Sequence, residues 1–273
     1  MLRMETETGW WLITHPDHAR LAESFAEAWG NAQFASPEPR THVLRGIRCH
    51  DDGWALRDAN PQITRQGKPS AFSTELVGKY SAFEEIDLAD YLAVRDRALR
   101  LTADKDAYAG LLISMHTCNL LTERADRATI NPAQLPLLDD FLAAQTGYQN
   151  ELKATIQQNA DLSGEEKSET RIRDHFRLLQ ATDNLSLLSC VAYSEPATLL
   201  HPLPLRNREY SRIAVEPLED RHFCLTPYPF AEPQLVFQFP ARHVKGHTFA
   251  TAAELQSKFA EAPVEMLAVT LSA

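Results

Sequence analysis

Apolar side chains recur at intervals of three and four residues along most of the chain up to about residue 194. This spacing places them on one face of an α-helix. It predicts helices over residues 14–29, 39–50, 87–100, 104–126, 131–159 and 168–193. Residues 9–14 are different, because their continuous apolar run predicts a short strand.

Beyond Glu195 the pattern changes to short apolar runs separated by prolines. These runs predict strands at 210–215, 222–225, 234–239 and 266–271, with one helix over 251–260. We therefore expect a mainly α fold with two domains. Residues 1–194 would form an all-helical bundle, and residues 195–273 a small antiparallel α+β subdomain packed on it.

Four polar residues fall on helix faces that are otherwise apolar: His18, His50, Asp51 and Asp183. Each one alone is explained by an ordinary hydrogen bond in the core. A buried charge without a partner costs several kcal/mol, however, so a group of them needs a common partner. A divalent metal ion is the simplest one, because imidazole and carboxylate are both good ligands for it.

In their order along the chain, these residues resemble the ligand set of the HD-domain superfamily of metal-dependent phosphohydrolases. The stretch His50-Asp51-Asp52-Gly53 is close to that superfamily's H-D-x-G motif, and residues 181–185 are similar to its helical A-x-D-x-L motif. The resemblance covers residues 14–194. It implies an HD-domain-like helical bundle in which His18, His50, Asp51 and Asp183 hold the metal.

A narrower resemblance covers nearly the whole chain. The segments 13–19, 50–54 and 111–116 are similar to those of DUF3891, a bacterial family of unknown function. This second resemblance implies no substrate.

The chain departs from the HD pattern in the long interval between Asp51 and Asp183. Superfamily members with two metals carry two further histidines in this interval, and the candidates here are His116 and His175. His175 lies one position away from the apolar face of its helix. We therefore expect one divalent transition metal ion (Zn, Mn, Fe, Ni or Co), with His116 beside it as a supporting or proton-carrying group.

The resemblance implies hydrolysis of a small phosphorylated metabolite or nucleotide by a metal-activated water. Asp51 or His116 would accept the proton of that water. The candidate phosphate ligands are Lys79, Arg45, Arg48, Arg124 and Arg127, for each of which a solvated surface position is the alternative. Two other functions stay open: a non-catalytic, metal-stabilised binding or regulatory protein, and a di-iron oxygenase of the HD type.

Composition and charge narrow the class of protein. The chain of 273 residues is 44% hydrophobic and 23% charged, which is typical of globular proteins. Its net charge of -10 argues against binding to nucleic acid or to an anionic membrane. The chain shows no N-terminal signal pattern and no apolar run of about 18 residues, and its four cysteines form no C-x-x-C pair. We expect a cytoplasmic protein, with homodimer formation left open.

Overall fold

The computed structural model of the protein describes residues 1–74, 77, 86–125 and 127–273. Its helices are α1 (His15–Ala28), α2 (Arg40–Cys49), α3 (Ala55–Asp58), α4 (Leu88–Ala103), α5 (Ala107–Asn119), α6 (Leu135–Gln158), α7 (Glu169–Cys190) and α8 (Ala252–Glu261). Its strands are β1 (Leu2–Thr6), β2 (Gly9–Ile13), β3 (Ala197–Thr198), β4 (Leu203–Pro204), β5 (Tyr210–Ser211), β6 (Ala214–Glu219), β7 (His222–Thr226), β8 (Gln234–Lys245) and β9 (Val264–Ser272). None of these helices is both long and apolar enough to cross a membrane.

Most strands belong to one curled, seven-stranded sheet with the order β1-β2-β8-β9-β7-β6-β3. Neighbouring strands are antiparallel except β7 and β9, which run parallel. The N-terminal strand β2 joins the C-terminal strand β8, with Trp11 opposite His243. Strands β4 and β5 form a separate hairpin.

The expectation of a mainly α fold is wrong, because the described part of the chain is 49% helical around this mixed sheet and has an α+β fold. The prediction that residues 1–194 form an all-helical bundle is also wrong, since β1 and β2 lie in that range. Strand β1 has only five residues, and the partner β8 of β2 is more than two hundred residues away. No local pattern reveals such a pairing. The domain division at residue 194 stays a prediction, although the sheet contains strands from both sides of it.

The helices surround the sheet on both faces. On one face, Phe25 of α1 packs edge to face against Phe237 of β8, with ring centroids 4.9 Å apart. On the other face, Trp10 and Leu12 of β2 form a smaller apolar cluster with Phe259 of α8. The alternating side chains of β2 therefore contribute to two separate cores.

The six helices predicted before residue 194 are confirmed to within a few residues, as is α8. Thr14 caps α1 as its sequence predicts, because its side chain accepts a hydrogen bond from the Asp17 amide. The cap fixes where α1 begins, and so places His18 in the first turn, on the face that packs inward.

The segment after α2 approaches α4 closely at Gly53. A methyl group on Gly53 would lie 2.0 Å from the carbonyl oxygen of Val94. Only glycine permits this approach, which brings α4 beside the residues His50 and Asp51.

We predict that Gly53→Ala lowers the free energy of unfolding by roughly 1–3 kcal/mol, because α4 has to move away. Gly147→Ala in α6 is the matched control, since a methyl group there would have no neighbour within 4 Å in the part of the chain that the structure describes. The control should raise stability by roughly 0.5–1 kcal/mol through helix propensity. Urea unfolding measures both changes, and equal stability of the two variants would contradict this account of Gly53.

Candidate metal centre

Five imidazole and carboxylate side chains converge in the core below the sheet. They come from three helices and one turn: His18 (α1), His50 and Asp51 (after α2), His116 (α5) and Asp183 (α7). The three histidines are 0% exposed, Asp51 is 4% exposed and Asp183 is 6% exposed. The structure thus brings together all four predicted metal ligands and the predicted supporting residue His116.

The orientation of His18 is fixed from outside the cluster. The Ser186 hydroxyl donates its hydrogen to the Asp183 carbonyl oxygen at 2.8 Å, so it can only accept from the His18 Nδ1 atom at 2.9 Å. The hydrogen of a neutral His18 ring is then on Nδ1. Its Nε2 lone pair faces the Asp51 Oδ2 atom at 3.0 Å. Two lone pairs at this distance repel each other unless a proton or a metal ion lies between them.

His50 is oriented in the same way. Its Nδ1 atom donates to the carbonyl oxygen of Ile47 at 2.6 Å. The Nε2 atom therefore points into the cluster, 3.3 Å from Asp183 Oδ1 and 3.8 Å from Asp51 Oδ2. This Nε2 atom is buried and makes no hydrogen bond within the usual geometric limits to any residue that the structure describes. Histidines that ligate metals typically have their other nitrogen bound to such an outer acceptor.

Arg95 alone does not balance the negative charges of Asp51 and Asp183, so the cluster requires one further positive charge. Burial alone would raise the pKa of Asp51, but Arg95 and His50 outweigh it and hold the pKa well below its usual value. The pKa of Asp183 is also lowered, because its contacts with His50 outweigh the effect of burial. Burial alone would lower the pKa of His50, yet Asp51 and Asp183 raise it to about 9. In the metal-free protein, a proton on His50 thus takes the place that a metal ion would occupy.

His116 is the least satisfied side chain of the cluster. Its ring lies 5.0 Å from the ring of His50, and neither of its nitrogens has a hydrogen-bond partner among the described residues. Burial lowers the pKa of His116 to about 3, so its ring is neutral. A buried neutral imidazole without a partner calls for an explanation, and a metal ligand is the simplest. His116, His50 and Asp183 form one group with ligand spacing; His18, His50 and Asp51 form another.

Arg95 and Ser186 are parts of the centre that the sequence pattern did not reveal. Arg95 is 5% exposed, donates to the Asp51 carboxylate and to the Tyr91 hydroxyl, and lies over the ring of Trp54. One signal was available: Arg95 is four residues from both Tyr91 and Leu99, so it lies on the apolar face of α4. Ser186 carried no signal, because a serine one turn after an aspartate is common.

The structure does not bring the described candidate phosphate ligands to the cluster. Arg45 pairs with Asp106 at 2.8 Å, and Arg48 with Glu23 at 2.9 Å. Arg127 pairs with Asp139 at 2.8 Å, and Arg124 lines a separate surface pocket. The remaining candidate, Lys79, lies outside the described residues.

Comparison with known proteins identifies the family. The family model DUF3891, "Protein of unknown function", matches residues 1–246. The chain belongs to the DUF3891 family. The matched range includes all five residues of the cluster and most of the sheet. No curated protein and no solved structure matches the chain.

The raised pKa of His50 predicts a pH effect on stability in this DUF3891 protein when metal is removed by a chelator. A raised folded-state pKa stabilises the fold fully below the unfolded value of 6.5. This stabilisation disappears as pH rises through about 9. We expect the metal-free protein to lose about 3 kcal/mol across this interval relative to His50→Gln. Urea unfolding at several pH values measures the difference, and parallel profiles for the two proteins would contradict it.

The hydrogen bond to His18 predicts a role for Ser186 in metal affinity. Ser186→Ala should weaken metal binding about 10–100-fold, because the His18 ring loses the acceptor that orients it. Ser189→Ala is the matched control, since Ser189 is equally buried on α7 but its hydroxyl bonds, within the described ranges, only to the Leu185 carbonyl. Competition with a chromophoric chelator measures both affinities. Equal affinities of the two variants would show that Ser186 does not orient a ligand.

Proposed function

We propose that this protein is a metal-dependent phosphohydrolase related to the HD-domain superfamily. Its substrate would be a small phosphorylated metabolite or nucleotide. The observation that carries the proposal is the convergence of the His18 and His50 Nε2 atoms on the carboxylates of Asp51 and Asp183. These residues occur along the chain in an order that resembles the H…HD…D order of that superfamily.

The cluster supports one metal ion. His50 belongs to both groups of residues with ligand spacing, yet it has only one nitrogen left to offer, because its Nδ1 atom is committed to Ile47. Two ions would have to compete for that atom. The ion would be held by His18, His50, Asp51 and Asp183, with His116 as a further ligand or as the proton acceptor. This argument also disfavours a di-iron oxygenase.

The net charge of the centre favours an anionic substrate. Two ionised carboxylates face one guanidinium, that of Arg95. A divalent ion in place of the His50 proton would leave one net positive charge in a buried site. Such a charge attracts a phosphate group strongly, because the low local dielectric strengthens the interaction. A bound ion would supply the Lewis acidity that polarises a phosphoryl oxygen and activates water.

The protein's own residues would orient this chemistry. Arg95 binds Asp51 Oδ1 and thereby leaves Oδ2 directed at the cluster. Asp51 and His116 are the candidates to accept a proton from water, as expected from the sequence. A cluster held by three helices and the turn after α2 keeps these groups in place without reorganisation.

One observation favours a non-catalytic alternative. The exposure of the five cluster residues is at most 6%, which is typical of a structural metal site that substrate does not reach. In this alternative the metal stabilises the fold, and the protein serves as a binding or regulatory module.

Elemental analysis of untagged protein, followed by a hydrolysis screen, tests the proposal. We expect roughly one equivalent of a transition metal in the wild type and its loss in Asp183→Asn. Asp174→Asn is the matched control, because Asp174 is a similarly buried aspartate on α7 outside the cluster. The loaded wild type should hydrolyse at least one phosphomonoester or nucleotide, and Asp183→Asn should lose at least about a thousandfold in kcat/KM.

His116→Gln separates the two roles of His116. Loss of metal from this variant would show that His116 is a ligand. Full metal content with a lowered kcat would show that it is the proton acceptor. A wild type that holds metal but hydrolyses none of the phosphate esters would overturn the proposal in favour of the structural alternative. A wild type that binds no metal after reconstitution would overturn both.

A further inference from the structure

A cavity lies beside the N-terminal half of helix α7, whereas Asp183 of the metal centre lies in its C-terminal half. Its volume is about 530 Å³, within the usual range for small-molecule sites. Three parts of the chain form its walls: the first turns of α7, the segment between α1 and α2, and the β4–β5 hairpin. The hairpin is fixed in place, because Arg206 donates from its backbone amide to Gln33 O and from Nε to Asn31 O, each at 2.8 Å.

The acidic groups of this cavity are already paired. Glu165 accepts a hydrogen bond from Arg171, and Asp174 accepts one from the Tyr210 hydroxyl at 3.0 Å. Asp174 also pairs with Arg177 at 3.4 Å. Their negative charges are therefore largely compensated within the wall.

Two positive charges of the cavity are not compensated in this way. Arg206 and Arg208 both line it from the hairpin, and within the described ranges neither guanidinium pairs with a carboxylate. In a chain with a net charge of -10, two such cations at one cavity form a local site for negative charge. Arginine is suited to this role, because its planar fork binds phosphate and carboxylate with two hydrogen bonds.

His175 adds a buried polar group to the wall. It is 4% exposed, and its Nδ1 atom lies 2.7 Å from the Tyr108 hydroxyl. Its Nε2 atom has no hydrogen-bond partner among the described residues. Burial, reinforced by Arg171, lowers the pKa of His175 to about 3, so the ring is neutral. The Tyr108 hydroxyl also lies 3.3 Å from the Glu166 carbonyl oxygen, but its contact with His175 Nδ1 is much the shorter. The hydroxyl therefore donates to Nδ1, which leaves the Nε2 hydrogen as a donor for a ligand.

Part of the wall is apolar. Trp29, Leu178, Leu203 and Leu205 contribute hydrocarbon or aromatic surface to the cavity. A ligand that matched this lining would carry a compact anionic group and an apolar or aromatic body.

We propose that this cavity binds a small organic anion, in which a phosphate or carboxylate group contacts Arg206, Arg208 and His175 while an apolar body packs on Trp29. This site is distinct from the metal centre. His175 and Asp183 are eight residues apart on α7, which corresponds to about 12 Å along the helix. The inference does not depend on the proposed hydrolytic activity.

Calorimetric titration of the full chain with phenyl phosphate, benzoate and phenol tests this site. At least one of the two anions should bind with a Kd below about 1 mM, and phenol at least about tenfold more weakly. The better of the two anions identifies the head group. Binding should weaken as salt concentration rises, because charge contributes to it.

Variants locate the binding. Arg206→Gln combined with Arg208→Gln should weaken anion binding at least about tenfold. Arg173→Gln is the matched control, since Arg173 is an exposed arginine of α7 outside the cavity lining. It should leave the affinity within about twofold. Asp183→Asn should also bind the anion normally, which separates this site from the metal centre.

Three results would overturn the proposal. If neither anion binds better than phenol, the negative charge of the ligand does not contribute to binding. An affinity that survives the double arginine variant would place the anion elsewhere, and loss of binding in Asp183→Asn would place it at the metal centre.

Discussion

The structure depends on the direction of two imidazole rings in its core. Acceptors outside the cluster, the Ser186 hydroxyl and the Ile47 carbonyl, hold the Nδ1 hydrogens of His18 and His50. Both Nε2 atoms are thereby turned toward carboxylates, and the repulsion has to be relieved by a positive charge.

Four parts of the fold hold the histidines and carboxylates of the cluster in position. Each of the helices α1, α5 and α7 contributes a cluster residue from within an apolar face, and the turn after α2 contributes two. The close approach of α4 at Gly53 adds Arg95, which fixes the second oxygen of Asp51. The sheet packs against α1, as the contact between Phe25 and Phe237 illustrates.

The sequence predicts the helices and the candidate metal ligands from the same pattern. Apolar residues at helical spacing indicate the helices, and a polar residue on such an apolar face, as at His18 and Asp183, indicates a candidate ligand. What could not be predicted depends on distant parts of the chain. The strand β2 was recognisable, but its pairing with β8 leaves no local signal. The role of Arg95 depends on α4 packing close to Asp51. The hydrogen bond between His18 and Ser186 depends on α7 packing against α1.

The pairing of β2 with β8 has a consequence for how the chain reaches its native state. Strand β2 stays without one of its neighbours until residue 242 has been synthesised, since Leu12 pairs with Arg242. The helices between them have local contacts and can form earlier, whereas closure of the sheet requires contacts of very high sequence separation. Completion of the sheet is therefore a late folding event. Until then the edge of β2 and its two tryptophans are exposed to other chains, and this is the period in which the protein is most prone to aggregate.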